Sequence, residues 1–369
     1  MTRTQRDGIG ANHVTPGRGW GTDPRVPPWR VAFGDRPEAD VRADDPDPRC
    51  RWLAAVVLGA RGRYAAAAVA LRGLLADPGV REAVRAHAAV TRAAHLRQLG
   101  GHAAARRWDG LGLVLATRTG QREPAGGAPA AAREARPGVP GAAAGALSDA
   151  AGPPGDAAAR EALLGPPGAA GAPPGDAAGA AGCGMDRAAA RTDALVGLAA
   201  DALGLGSLPL AERLLRAAGP SVDAHPSWRP AVRWHWVRAE LALCRDQAAE
   251  AARHARLAVD AAVAAGAVRH EVKSRVVLAV AEAGSGHPLS QVVDTLGDLS
   301  ERTRRTGLVT LEWPIALLTG DLTAATKPDE AAAHRREAQR LVGAIRLLTD
   351  PDGRYVLDRS PWVPPAVNS

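Results

Sequence analysis

Residues 49–116 read RCRWLAAVVLGARGRYAAAAVALRGLLADPGVREAVRAHAAVTRAAHLRQLGGHAAARRWDGLGLVLA. Shifting this stretch along itself by 38 residues superimposes small and apolar positions: Ala55 on Ala93, Leu58 on Leu96, Gly62 on Gly100, Tyr64 on His102 and Ala67 on Ala105. Each copy is an apolar helical run, a break at Gly and a second Ala-rich run. A helix hairpin repeated at this period is typical of a solenoid.

The same spacing returns after residue 187, where Ala199, Gly206, Ala211 and Ala218 occupy corresponding positions. It predicts helices at 50–61, 64–76, 81–99, 103–116, from 187 to a break at Gly219-Pro220, and then at 228–244, 247–264, 268–283, 288–306, 310–318 and 328–348. In the fourth copy, Asp246 replaces the Gly of the break.

The repeat resembles the tetratricopeptide family, which pairs helices over about 34 residues with small residues at the crossing. Ala55, Leu58, Gly62, Tyr64 and Ala67 carry the resemblance in the first copy, together with Leu71, Leu74 and Pro78. The second copy departs at Asp109 and Gly112, where a large apolar residue and a helix former are expected. The resemblance implies an all-α fold of antiparallel helix hairpins stacked as a right-handed solenoid.

Composition divides the chain into five segments. Residues 1–48 and 118–186 are rich in Pro and Gly, lack periodic apolar residues and are predicted to be a disordered N-terminus and a low-complexity linker. Helical repeats are expected at 49–117 and 187–348, and 349–369 form a tail in which Tyr355 and Trp362 are expected to fold back on the last helix. The two blocks are expected to stack despite the linker. The apolar island Trp29–Phe33 is a self-docking arm, a partner-binding peptide or, the reading we favour, without a role.

The net charge of +7 is concentrated in residues 49–117, which carry 11 Arg and 3 acidic residues. A basic folded block favours acidic partners. However, 44 Arg against two Lys is typical of a GC-rich bacterial genome, so Arg is not by itself a nucleic-acid signal.

The motifs of common enzyme classes are missing from the sequence. No phosphate-binding loop, nucleophile elbow, zinc-protease motif or dinucleotide-binding glycine pattern is present. The three Cys, at 50, 183 and 244, form neither a disulfide framework nor a metal motif. We therefore expect no catalytic site, no metal and no cofactor. Without a signal peptide or a long apolar run, a cytoplasmic location without a membrane partner is expected.

Under the resemblance, the first helix of each pair lines a concave groove. The residues that best fit a partner-binding groove are Arg49, Trp52, His87, Arg97, Arg233, Trp236 and Arg275; Val56, Val90, Gln98, Asp193, Val196, Glu240 and Glu282 share the same face. Arg49 and Arg97 are candidates for bidentate binding of a carboxylate or phosphate.

Two local patterns suggest packing instead of chemistry. Trp234 and Trp236 point in different directions on a helix, so they cannot form one cage. Glu271 and Arg275 are spaced for an ion pair on one helix face.

Two functions follow from these observations. The leading hypothesis is a non-enzymatic scaffold or adaptor that binds a peptide segment of a protein partner, which the basic charge suggests is acidic. The alternative is a nucleic-acid-associated or transcription-regulatory protein that uses the basic first block, through Arg85, Arg92, Arg106 and Arg107. The sequence does not indicate the partner or the oligomeric state.

Overall fold

The structure is a computed structural model that describes residues 26–118 and 182–365. Every regular element in these ranges is a helix, which confirms the predicted all-α class. The fourteen helices of the described ranges are α1 Pro28–Phe33, α2 Pro48–Ala60, α3 Tyr64–Ala76, α4 Glu82–Gln98, α5 His102–Thr117, α6 Arg187–Gly204, α7 Leu208–Ala224, α8 Trp228–Leu243, α9 Ala248–Ala264, α10 Val268–Gly284, α11 Leu289–Thr306, α12 Val309–Thr323, α13 Pro328–Leu347 and α14 Pro351–Leu357.

Helices α2 to α13 form six consecutive hairpins, and five of them turn through a residue with positive φ. Four of those residues are glycines, whose missing Cβ makes this conformation inexpensive. In the fourth hairpin Asp246 takes the same conformation at φ 57°, which explains how it replaces the expected Gly. The four glycines are Gly62, Gly100, Gly206 and Gly286.

Alanine at the crossing points brings the helices of each hairpin together. Ala55 and Ala67 in the first hairpin, and Ala93 and Ala105 in the second, have no solvent-exposed surface. The same close packing explains why residue 112 is a glycine. A Cβ there would lie 2.7 Å from Val90 Cγ2. Gly112 is therefore required by the close approach of α5 to α4.

The first helices of the six hairpins form a closed ring. Helix α2 contacts α4, and the contacts continue from α4 to α6, α8, α10 and α12, which packs back against α2. Thus the helical blocks on either side of the linker are in direct contact, through α4 and α5 against α6. The sequence predicted this stacking but not the return of α12 to α2.

Hydrogen bonds between the N-terminal hairpins and the C-terminal part of the chain stabilise the closed ring. Thr310 Oγ1 donates to the carbonyl oxygen of Ala60 at 3.0 Å, and the backbone N–H of Ala65 donates to the carbonyl oxygen of Leu348 at 2.8 Å. Arg92 binds Asp350 through two hydrogen bonds of 2.6 and 3.1 Å. These partners are far apart in sequence, so no local pattern predicts them.

The prediction that residues 1–48 are disordered is wrong for residues 26–48. Helix α1 buries Val31, Ala32 and Phe33, and the Phe33 ring lies 5.7 Å from that of Trp52. The apolar island is therefore a self-docking arm. Residues 1–25 lie outside the described ranges, as do residues 119–181 of the predicted linker.

Three further expectations need correction. Residues 182–186, assigned to the linker, pack against α8, where Ser227 Oγ donates to the carbonyl oxygen of Gly182 at 2.6 Å. Pro220 lies inside α7 and does not end it. In the tail, Tyr355 and Trp362 are 61% and 63% exposed, because Leu357 and Val363 supply the buried contacts instead.

Candidate functional site

The six inner helices enclose a cavity of about 310 Å³, which we call the inner cavity. Its volume lies at the lower end of the range of ligand pockets in proteins. Most of the predicted groove residues line it: Trp52, Val56, His87, Val90, Arg97, Gln98, Asp193, Val196, Arg233, Trp236 and Glu240. The groove positions implied by the resemblance thus lie on one surface, although their role in binding stays a prediction.

Two of the proposed partner-binding arginines do not line the inner cavity. Arg275 pairs with Glu271 at 3.0 Å, as the helical spacing predicted, and the same carboxylate also binds Arg302. Arg49 lies near the start of α2, outside the lining. Glu282, on the same predicted face, pairs with Arg256 at 3.5 Å instead.

Arg97 joins α4, α5 and α6 through a buried ion network. Its guanidinium bonds to Asp201 at 2.8 Å, to Asp109, and to the carbonyl oxygen of Gly197 at 3.2 Å. Both carboxyl groups are fully buried. Burial and the neighbouring Asp201 raise the pKa of Asp109 well above its usual value, although Arg97 acts in the opposite direction. The unusual Asp109 of the second repeat is therefore the partner of Arg97.

A second ion network is centred on Asp193. Arg229 and Arg233 bind its two oxygens at 2.6 and 2.8 Å. Burial alone would raise the pKa of Asp193, but the two guanidinium groups lower it. Arg229 also donates to the carbonyl oxygens of Cys183 and Gly184, which fixes the chain after the linker against α8.

Aromatic and histidine rings form one wall of the inner cavity. Trp52 stacks on His87 with ring centroids 4.5 Å apart, and Trp236 stacks on His270 at 5.3 Å. The indole N–H groups are satisfied by Thr91 and Ser274.

Burial disfavours the charged form of the histidines in this wall. Burial, with Arg229 nearby, lowers the pKa of His87 to about 4. Burial likewise lowers the pKa of His270 well below its usual value, and nearby arginines add to the effect. His87 Nε2 lies 2.9 Å from the carbonyl oxygen of Asp186, an arrangement that suits a neutral ring donating from Nε2. The wall therefore offers flat aromatic surface without additional charge.

Sequence reasoning missed Phe33, Arg229, Arg269, His270 and Lys273, which also line the inner cavity. The spacing of Glu271 and Arg275 predicts an ion pair on one face of α10. That prediction is correct for Glu271 and Arg275, but residues 269, 270 and 273 face inward. The four-residue spacing of Arg269 and Lys273 was the available signal.

Trp234 and Trp236 of α8 are separated as their spacing predicted. Trp236 lines the inner cavity, whereas Trp234 Nε1 donates to the carbonyl oxygen of Leu215 at 2.9 Å on the α7 side. His235 and His254 lie side by side, with their Nδ1 atoms 2.8 Å apart. Within residues 26–118 and 182–365, no group of three His, Cys, Asp or Glu has the arrangement of a metal site.

Several arginines of the basic first block are used inside the fold. Arg92 and Arg97 are in buried or nearly buried ion pairs. Arg61 donates to the carbonyl oxygens of Pro37 and Ala39, and Arg85 donates to that of Leu75. Exposed arginines include Arg72, Arg81, Arg106 and Arg107. Much of the positive charge of this block is thus unavailable to an outside surface.

No protein-family model matches this chain, and no curated protein matches it either. Among the described helices, none combines the length and apolar character needed to cross a membrane.

Proposed function

We propose that this chain is a non-enzymatic, tetratricopeptide-like interaction protein that binds an acidic segment of a partner polypeptide in its inner cavity. The observation that carries the proposal is the combination of cationic and aromatic side chains on one enclosed surface. Arg269 and Lys273 supply positive charge, and Trp52 and Trp236 supply flat apolar area. Proteins use such combinations to bind ligands that are partly apolar and partly anionic.

The volume of the inner cavity and the charges of its lining favour a short acidic segment as the ligand. A volume of about 310 Å³ holds a few side chains but not a folded domain. Its lining contains five cationic side chains and two carboxylates: Arg97, Arg229, Arg233, Arg269 and Lys273 against Asp193 and Glu240. A negative group entering this cavity therefore gains more from electrostatic attraction than a positive one does.

The nucleic-acid alternative has less support. Arg92, one of the four arginines on which it depended, is 4% exposed and ion-paired with Asp350. Arg85 is half-buried, and only Arg106 and Arg107 are exposed. An unbroken basic stripe, which backbone contacts to nucleic acid require, is therefore not provided by these four residues.

Capture from a bacterial lysate followed by peptide mapping tests the proposal. The wild-type protein is compared with Trp236→Leu, which shortens a cavity wall, and with Arg275→Gln, which removes a charge outside the cavity. We expect the same acidic peptide to be retained by wild type and Arg275→Gln, and to be lost with Trp236→Leu. Retention of every captured peptide by Trp236→Leu would contradict the proposal.

A further inference from the structure

One cation of the inner cavity stands without a carboxylate beside it. Arg269 is the second residue of α10, is half-buried, and faces the cavity. Among residues 26–118 and 182–365, no carboxylate oxygen lies within ion-pair distance of its guanidinium. Burial lowers the pKa of Arg269 to about 10, with Arg233 contributing. The fold thus holds a cation where it lacks a counter-charge.

Lys273 lies one helical turn further along α10 and faces the same space. Its ammonium is 4.3 Å from the centre of the Trp236 ring and 3.8 Å from Glu240. Burial lowers the pKa of Lys273. Glu240 raises it, and repulsion from Arg233, Arg97 and Arg269 lowers it further. These cations therefore lie close enough to repel one another.

The charges around the inner cavity do not balance. Its lining carries five cations against the carboxylates of Asp193 and Glu240, and Asp109 and Asp201, outside the lining, both bind Arg97. Buried charge without a counter-charge is costly, and one free cation is already identified in Arg269. An anionic occupant would supply the counter-charge that Arg269 lacks.

Gln98 adds a hydrogen-bond donor opposite α10. The Tyr64 hydroxyl donates to Gln98 Oε1 at 2.8 Å, which leaves the amide nitrogen free to donate into the cavity. Arg269 and Lys273 line the same cavity as Gln98. A guanidinium, an ammonium and an amide N–H therefore surround one region.

We propose that Arg269, Lys273 and Gln98 bind the phosphoryl group of a phosphomonoester in the inner cavity. A phosphomonoester carries close to two negative charges at neutral pH and offers three acceptor oxygens. The guanidinium can bind two of these oxygens side by side, and the ammonium and amide bind the remainder. The group that carries the phosphate packs against Trp236. This inference rests on the proposed function in taking the inner cavity as the binding site.

The same chemistry has two sources, a phosphorylated side chain of the partner polypeptide or a free phosphate ester. Titration calorimetry with phenyl phosphate, inorganic phosphate and benzoate tests the shared chemistry on the full chain. We expect phenyl phosphate to bind at least tenfold more tightly than benzoate, which has one negative charge on a similar ring. Comparable binding of benzoate and phenyl phosphate would overturn the assignment.

Two substitutions on α10 locate the anion. Arg269→Gln should weaken phenyl phosphate binding at least tenfold, because it removes the cation without a counter-charge. Arg275→Gln, six residues along the same helix but outside the cavity, should bind as wild type does. Equal affinities for wild type and Arg269→Gln would place the anion elsewhere and overturn the inference.

Folding is checked separately by thermal unfolding without ligand. Arg269→Gln should melt at or above the wild-type temperature, since it removes an unbalanced buried cation, and phenyl phosphate should no longer raise its melting temperature. If this variant fails to fold, Lys273→Gln takes its place with the same tenfold expectation. Unchanged binding by the folded variant overturns the inference.

Peptides separate this inference from the proposed function. An acetylated Glu-Ser-Glu-Ala peptide is compared with its phosphoserine form. Tighter binding of the phosphorylated form through Arg269 supports a polypeptide source. Equal binding of both forms overturns the phosphate assignment and leaves the proposed function intact. Binding of phenyl phosphate through Arg269, with peptide capture that is insensitive to Trp236→Leu, supports a free ester and overturns the proposed function instead.

Discussion

At the residue scale, several titratable groups are buried in the interior of this protein. Arg97 binds the carboxyl groups of Asp109 and Asp201, while His87 and His95 are 1% and 2% exposed. Gly197 makes room for this arrangement, since a Cβ there would lie 2.3 Å from a carboxyl oxygen of Asp109. Such groups couple the stability of the fold to pH.

The buried histidines predict a loss of stability on acidification. Burial lowers the pKa of His87 to about 4 and that of His95 to about 3, whereas the unfolded value is about 6.5. The folded state therefore resists protonation, so the stabilisation is complete above pH 6.5 and is lost as the pH falls towards 4. Each histidine contributes a slope of roughly 1.4 kcal/mol per pH unit in this window. Asp109 acts in the opposite sense, because its pKa is raised.

Urea unfolding between pH 4.5 and 7.5 measures this slope. His87→Gln should reduce the slope by the contribution of one histidine. His287→Gln, at an exposed position, should leave the slope unchanged. A His87→Gln variant with the wild-type slope would show that His87 does not resist protonation in the fold.

At the scale of single helices, glycine positions report how closely helices approach. Two glycines of α5 lie two residues apart but differ in surroundings. A Cβ at Gly112 would meet Val90 Cγ2 at 2.7 Å and the carbonyl oxygen of Ala86 at 3.3 Å, whereas a Cβ at Gly110 meets nothing within 4 Å. This pair separates helix propensity from helix packing.

Replacing each glycine with alanine should therefore give opposite results. Gly110→Ala should raise the free energy of unfolding by about 1 kcal/mol, the usual gain in a helix interior. Gly112→Ala should lower it by about 1 to 3 kcal/mol, because α5 must move away from α4. Chemical denaturation of both variants measures these changes. Equal stabilisation by the two substitutions would mean that α4 and α5 are not in close contact at Gly112.

Spacing predicted individual helices well because their determinants are local. Ala55 and Ala67 mark a crossing, and a residue of positive φ marks each turn in five hairpins. The spacing gave the wrong prediction where a tertiary contact overrides the local preference of the sequence. Pro220 lies inside α7 and does not end it. Residues 28–33 form helix α1 in a Pro-rich segment, and Phe33 of this helix packs against Trp52.

At the scale of the whole molecule, the closed ring separates this fold from the open solenoid that its repeats resemble. Arg92 and Asp350 are 258 residues apart in sequence, and each is 4% exposed. Contacts of this kind leave no periodic trace, so the ring could not be predicted from the sequence. The inner surface could be predicted, because the resemblance to tetratricopeptide repeats implies that Trp52, His87 and Trp236 share one face.

The Arg92–Asp350 pair should be a large contributor to closure. Arg92→Met leaves the buried Asp350 carboxylate with Arg72 at 4.0 Å in place of its bidentate partner, and we expect the free energy of unfolding to fall by about 3 kcal/mol. The additional change Asp350→Leu should recover most of that loss. Urea denaturation provides the measurement.

The exposed pair Arg346–Asp358 serves as the matched control, because it has the same bidentate geometry at 2.7 and 2.8 Å. Arg346→Met should cost no more than about 1 kcal/mol. Similar losses for Arg92→Met and Arg346→Met would contradict a special role for the buried pair.

The central claim, that the inner cavity is the binding site, is tested most directly by fluorine NMR. The nine tryptophans are labelled with 5-fluorotryptophan, their resonances are assigned by Trp→Phe substitution, and phenyl phosphate is added. The resonances of Trp52 and Trp236 should shift together, while that of the exposed Trp362 should remain in place. A shift confined to Trp362, with Trp52 and Trp236 unchanged at saturation, would contradict the claim.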